Sequence, residues 1–290
     1  MGHLRMLTSA CKLKIQAPKG FSLLSHGEYS IVLRDDLHHH CCDLVVDLAK
    51  RPAPERGKVV VAPFLGSNGQ TILAAFRRTV RGGPYSRFGL ESTLGLIPRT
   101  LSELTVAVAA ERVGAPVVPP LGCYWKWGVG GISYTGGYFS IYQEKACCLN
   151  EVLEGWMVTR PSQIRRRQVL SRLAHALRQL HQAGIVHNDL TLRNVLFGAN
   201  HQCLFVDLDR AYTVKSIPDR SLRASVSRLN RSLEKSGMGQ LVRLRERLWF
   251  LKEHLGSLRQ NKILARQILS QSARDLRWHQ LFWDNKNMVP

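Results

Sequence analysis

The sequence predicts an α+β chain of two lobes, a small lobe built on an antiparallel sheet and a mainly helical large lobe. Three observations predict it. Between residues 42 and 78, short apolar and β-branched runs alternate with turns carrying Pro and Gly, the pattern of successive strands. From residue 166 apolar side chains recur at helical spacing. That helix then runs into a loop rich in acid and amide groups followed by a short hairpin. At 290 residues the chain can bury a core in each lobe. Residues 1–40 are expected to form an N-terminal extension or first strands, 41–145 the small lobe, and 146–290 the large lobe with a basic helical C-terminal part.

In the small lobe, strands are expected at Leu44-Val45-Val46, from Lys58 to Ala62 and from Thr71 to Phe76. One turn holds Pro52, Pro54 and Gly57; the next, Gly66-Ser67-Asn68-Gly69, is a hairpin signal. The third strand runs into Arg77-Arg78, and neighbours on a strand face opposite ways, so either could be the inward cation. Arg99 to Arg112 reads as a helix with Leu101, Leu104, Val108 and Ala109 inward, which makes Glu103 the carboxylate to pair with Arg77. The segment Gly114 to Pro120 closes that helix. Tyr138 to Gln143 reads as the last small-lobe strand, and Gln143 to Ala146 leads out of the lobe.

The large lobe carries the chemistry. Residues 166–183 place Val169, Leu170, Leu173, Leu177 and Leu180 on one side of a helix that Gly184 ends. Ile185-Val186 leads into His187-Asn188-Asp189-Leu190-Thr191-Leu192-Arg193-Asn194. Strands at Val195 to Phe197 and Cys203 to Val206 flank a Gly198-Ala199-Asn200 turn, and Asp207-Leu208-Asp209 follows. Helix, His-x-Asp loop, hairpin and second acidic loop stand in the order of a two-lobed protein-kinase-like fold. A hydroxyl attacks ATP efficiently only when one carboxylate orients it and other oxygen ligands hold Mg2+ on the phosphates. Asp189 is the expected base, Asn194 and Asp207 the metal ligands, and His187 the brace of the loop. Arg193 stands where a cation could meet the transferred phosphoryl group. In the small lobe Gly57, within Arg56-Gly57-Lys58, is the candidate for close backbone approach to phosphate, with Arg77 and Glu103 as the phosphate-binding cation and its partner.

Composition narrows the classes. There is no run of about 18 apolar residues that could span a bilayer, and no apolar region precedes Cys11 to make a signal peptide. Seven scattered cysteines do not form a disulfide framework, which favours a reducing cytoplasm. The run His38-His39-His40-Cys41-Cys42 lacks a second ligand pair at zinc-finger spacing. The net charge is +20, and residues 210–278 hold sixteen Lys or Arg against five Asp or Glu, so an anionic partner is expected.

On these residues the chain resembles the lipopolysaccharide core kinases, most closely the 3-deoxy-D-manno-octulosonic acid (Kdo) kinases, from about Arg56 to Lys235. The resemblance rests on Arg77 with Arg81-Gly82-Gly83, on Arg99 and Glu103 before Ala115-Pro116-Val117, and on His187, Asp189, Leu190 and Asn194. It extends to Asp207-Leu208-Asp209-Arg210 and the Arg-rich segment Arg228 to Lys235, with Leu208 replacing a Phe usual in the family. It implies ATP and Mg2+ as cofactors and a Kdo hydroxyl on a lipid A precursor, an anionic glycolipid, as acceptor. It also implies a peripheral place on the cytoplasmic face of the bacterial inner membrane; nucleic acid is an unlikely partner. A heptose kinase or another small-molecule phosphotransferase would use nearly the same loops. A reading of another class is an inactive kinase fold that binds RNA or membrane through its basic part. An ordinary protein kinase fits less well, because no Ala-Pro-Glu segment follows Asp207.

Overall fold

The structure, a computed structural model, describes residues 15–51, 59–79, 93–94, 97–128, 131, 133–200, 202–257, 261–268 and 270. They divide into two compact units, one drawn from residues 1–108 and 119–142, the other from 109–118 and 143–290.

The first unit is a sheet with helices. Its strands are β1 (Phe21–His26), β2 (Tyr29–Arg34), β3 (Val60–Leu65), β4 (Thr71–Thr79), β5 (Thr93–Leu94), β6 (Pro120–Trp127) and β7 (Ser133–Ile141). Helix α1 (Cys41–Lys50) lies between β2 and β3 in the chain, and α2 (Arg99–Arg112) precedes β6. The sheet order is β1-β2-β6-β7-β4-β3, with β5 pairing β7, and every pair is antiparallel. The expected Gly66 to Gly69 hairpin turn joins β3 to β4, with Gly69 at φ 79°, where a glycine fits best. Alternate residues of these strands, Ile31, Leu33, Phe64, Phe76 and Phe139, are buried and form a core with α1. Phe76, Tyr124 and Phe139 stack within it at centroid distances of 5.8 to 6.4 Å.

Two expectations for this unit are corrected. Leu44-Val45-Val46 is helix, not strand. Cys41, Cys42, Val45, Val46, Leu48 and Ala49 are the buried positions, a one-and-four spacing that belongs to a helix face, with Asp43 in the first turn and Lys50 in the last complementing the dipole. An apolar triplet with two β-branched valines suggests a strand when read alone, and the longer period overrides it. The elements on either side of Pro52, Pro54 and Gly57 are thus α1 and β3 rather than two strands; residues 52–58, with Arg56-Gly57-Lys58, and Arg81-Gly82-Gly83 lie outside the described residues. The β1–β2 hairpin also identifies residues 21–34 as first strands of the sheet.

The second unit is mainly helical: α3 (Leu149–Thr159), α4 (Gln163–Gln182), α5 (Asp219–Lys235) and α6 (Leu244–Leu255). Leu170, Leu173, Leu177 and Leu180 of α4 are buried, as the periodicity predicts. Three small pairings complete the unit. Strand β8 (Cys147–Cys148) pairs with β10 (Val195–Phe197), which pairs with β11 (Cys203–Phe205); β9 (Ile185–Val186) pairs with β12 (Tyr212–Thr213). No described helix is long and apolar enough to cross a membrane.

Candidate active site

Gly184 starts the site. At φ 74° it turns the chain out of α4, and a Cβ there would lie 2.2 Å from the carbonyl oxygen of Val214, so only glycine lets β9 and the 212–214 segment close together. The Val214 N–H donates to the Gly184 carbonyl at 2.8 Å, locking the entry to the loop.

His187 follows, fully buried. Its Nδ1 accepts from the Asp189 N–H at 3.2 Å, so Nε2 carries the proton and donates to the Val206 carbonyl at 3.0 Å. One neutral imidazole thus links the His-x-Asp loop to the segment before Asp207. Burial pushes its pKa down, and Arg228 adds to that, against the raising influence of Val206, Asp207 and Asp189. Accepting at Nδ1 and donating at Nε2, the ring links the two segments as a neutral group.

Asp189 is half-buried, and Nε of Arg228, on α5, meets its Oδ1 at 2.9 Å. Asn194 Nδ2 donates to the Asp189 backbone carbonyl at 2.8 Å, which turns the amide oxygen of Asn194 away from that contact. The Val206 N–H donates to the Asn194 carbonyl at 3.1 Å, so Asp207 leaves β11 beside Asn194. Asp207 sits at φ 62°, in the left-handed region that Asp tolerates better than most residues. Leu190, Leu192 and Leu208 are buried and pin the loops from below; Leu208, in place of an aromatic, still fills an apolar site. The Leu192 N–H donates to Ser232 Oγ of α5 at 3.1 Å. Behind the hairpin, the Phe205 N–H donates to the Pro116 carbonyl at 2.8 Å.

In the first unit Arg77 Nη2 donates to both carboxylate oxygens of Glu103, each at 2.6 Å, and Glu103 is buried. Arg78, on the opposite strand face, donates instead to the Arg51 carbonyl at 2.8 Å. Of the two arginines, the one paired with the buried Glu103 carboxylate is Arg77.

The structure thus brings together His187, Asp189, Asn194 and the chain entering Asp207, and separately Arg77 with Glu103. Gly57 is outside the described residues. Arg193 is exposed in the 192–194 turn, and the cation on Asp189 is Arg228. In the sequence Arg228 stands out only as part of an Arg-rich segment, because nothing local ties it to Asp189, 39 positions earlier. Asn194 and Asp207 offer hard oxygen donors without thiolate or imidazole, a set that fits Mg2+; among the described residues no cluster of three or more His, Cys, Asp or Glu is placed to hold a metal ion.

A sheet-based unit with a braced arginine, and a helical unit whose two linked loops carry Asp189, Asn194 and Asp207, define a phosphotransferase of the protein-kinase-like class. The model of the lipopolysaccharide kinase (Kdo/WaaP) family matches residues 143–268, the segment that holds both loops, so this part of the chain is similar to that family of kinases. A solved structure described as WaaP in complex with acyl carrier protein aligns with a TM-score of 0.55 at 15% identity, over 82% of this chain and 97% of that one, and shares the fold. Among curated proteins none matches. The match over the two loops and the shared fold support a phosphotransferase that acts on an alcohol group.

Proposed function

We propose that the acceptor is a Kdo hydroxyl on a lipid A precursor and that the reaction requires Mg2+. The observation that carries this reading is that the family match, residues 143–268, spans the loop holding Asp189 and Asn194 and the turn at Asp207. In the reaction the sugar oxygen forms a bond to the γ-phosphorus of ATP, the bond to the β-phosphate oxygen breaks, and the hydroxyl proton passes to Asp189 late in transfer. Arg228 occupies one oxygen of Asp189 and leaves the other for the acceptor. Asn194 and Asp207 would hold the magnesium, which supplies charge neutralisation on the phosphates. Arg77, steadied by Glu103, is suited to grip the α and β phosphates by paired hydrogen bonds.

A lipid A precursor is anionic, and the net charge of +20 supports a peripheral place against it on the cytoplasmic face of the inner membrane. The test is transfer of labelled γ-phosphate from Mg·ATP to Kdo-bearing lipid A precursor, beside heptose-bearing core and the Asp207→Ala variant. Label on the Kdo lipid alone, lost in the variant, is the expected result. The family spans Kdo and WaaP kinases alike, so label on the heptose-bearing core alone would move the assignment to a heptose kinase. No label on either, with intact nucleotide binding, would overturn the sugar assignment.

A further inference from the structure

We propose that the end of the second unit where α3 finishes and α4 and α6 begin is a docking face for an anionic lipid bilayer. Four large apolar side chains stand out there: Met157 is 52% exposed, Val158 85%, Ile164 71% and Leu244 63%. The fold ties their three helices together at this end. Arg166, in the first turn of α4, pairs through Nε with the buried Glu246 of α6 at 3.0 Å and donates through Nη1 to the Leu241 carbonyl at 3.4 Å. Glu246 also accepts the Arg243 N–H at 2.9 Å, capping α6. On the other side, Arg160 turns left-handed at φ 43° and donates its N–H to the Trp156 carbonyl, ending α3, while Ser162 Oγ accepts from the Arg165 N–H to start α4. Only residues 160–162 separate the two helices, so Met157, Val158 and Ile164 all lie within a turn of helix of the α3–α4 connection.

Exposed cations alternate with these tips: Arg160 and Arg165 beside Val158 and Ile164, Arg243 and Arg245 on either side of Leu244. From residue 155 to residue 188 the chain has no Asp or Glu, yet it holds Arg160, Arg165, Arg166, Arg167, Arg172 and Arg178. A face that served solubility alone would need the charges but not the apolar tips. Protruding aliphatic groups ringed by guanidinium suit the boundary of a bilayer, where the tips leave water among the acyl chains and arginines bond the lipid phosphates bidentately. This deepens the peripheral reading above and names the surface that would meet the membrane; it does not depend on which sugar is phosphorylated.

The experiment is cosedimentation of the full chain with phosphatidylglycerol–phosphatidylethanolamine vesicles and with phosphatidylcholine vesicles. The chain should partition onto the anionic vesicles only. The double variant Val158→Asp/Ile164→Asp should weaken that partition about tenfold or more, because two inserting groups become anionic. Arg160→Gln/Arg165→Gln should weaken it as well and flatten its salt dependence. Val113→Asp, which alters an exposed apolar residue after α2, should leave it unchanged. All variants should keep the parent melting temperature and their rate of phosphoryl transfer to a soluble acceptor sugar. Partition unchanged in the aspartate double variant, or lost equally in Val113→Asp, overturns the proposal. Loss with the arginines but not with the aliphatic pair would also overturn it, leaving an anionic macromolecule held by charge alone. Vesicle binding through this face with no turnover of any sugar would keep the docking face and sink the acceptor reading instead.

Discussion

His187 and Arg228 hold the proposed base from two sides, one through the backbone N–H of Asp189 and the other through its carboxylate. An ion pair on a half-exposed carboxylate adds little to stability, so the consequence of Arg228 should be sought in geometry. With Oδ1 occupied, the remaining oxygen has a defined direction, and loss of such a constraint can cost about a hundredfold in rate. Arg228→Gln should therefore lower kcat about tenfold to a hundredfold with the KM for ATP nearly unchanged, and Arg228→Lys should recover part of it. Steady-state kinetics with each substrate varied in turn would check this; an equal rise in both KM values at constant kcat would point to simple substrate binding.

At the scale of elements, the site depends on short pieces meeting tightly. The helix α4 delivers the loop, β9 orients it, and the β10–β11 hairpin places Asp207 beside Asn194. Gly184 is where the helix and the β9–β12 pair touch, and a methyl group there meets both a carbonyl oxygen at 2.2 Å and an unfavourable φ of 74°. The left-handed penalty alone is about 1 kcal/mol, and the overlap must be relieved by moving β12 or the loop. Gly184→Ala should lower stability by at least about 2 kcal/mol and reduce turnover together, measured as a shift in melting temperature beside a rate assay. A variant that melts like the parent would show that the 212–214 segment yields freely.

Across the whole molecule, acid should be a weak point. His181 and His254 are buried on α4 and α6 with rings 5.1 Å apart, edge to face. Burial, the dominant cause in each, pushes His181 down to about 3 and His254 down to about 4 from an ordinary 6.5, and buried His187 is lowered too. Below about pH 6.5 the unfolded chain binds protons that the folded chain refuses, so stability is full above that pH and declines as pH falls toward 4. Each imidazole contributes at most about 1.4 kcal/mol per pH unit over that window. Denaturant midpoints at about pH 7.5 and about pH 5 should drop accordingly, and replacing His181 and His254 by Leu should reduce the slope.

Much of the catalytic unit was legible in the chain because its contacts are local. His187, Asp189, Asn194 and Val206 bond within twenty residues, so spacing nearly dictates their geometry, and the long periods of α2 and α4 declare helices without help from packing. What was not legible depends on residues far apart or on competing patterns. Leu44-Val45-Val46 reads as strand until the six buried positions of α1 pack on the sheet. Which of Arg77 and Arg78 faces Glu103, 26 positions away from Arg77, is set by strand register, and a slip of one residue would exchange them. Arg228 reaches Asp189 only because α5 packs on the catalytic loop through Ser232 and Leu192. The sequence by itself determined the class of chemistry, since that class needs an acid, an amide and a second acid on consecutive loops. The tertiary structure alone decided which cations serve them, because a long basic side chain acquires a specific partner only when packing brings one within hydrogen-bonding distance.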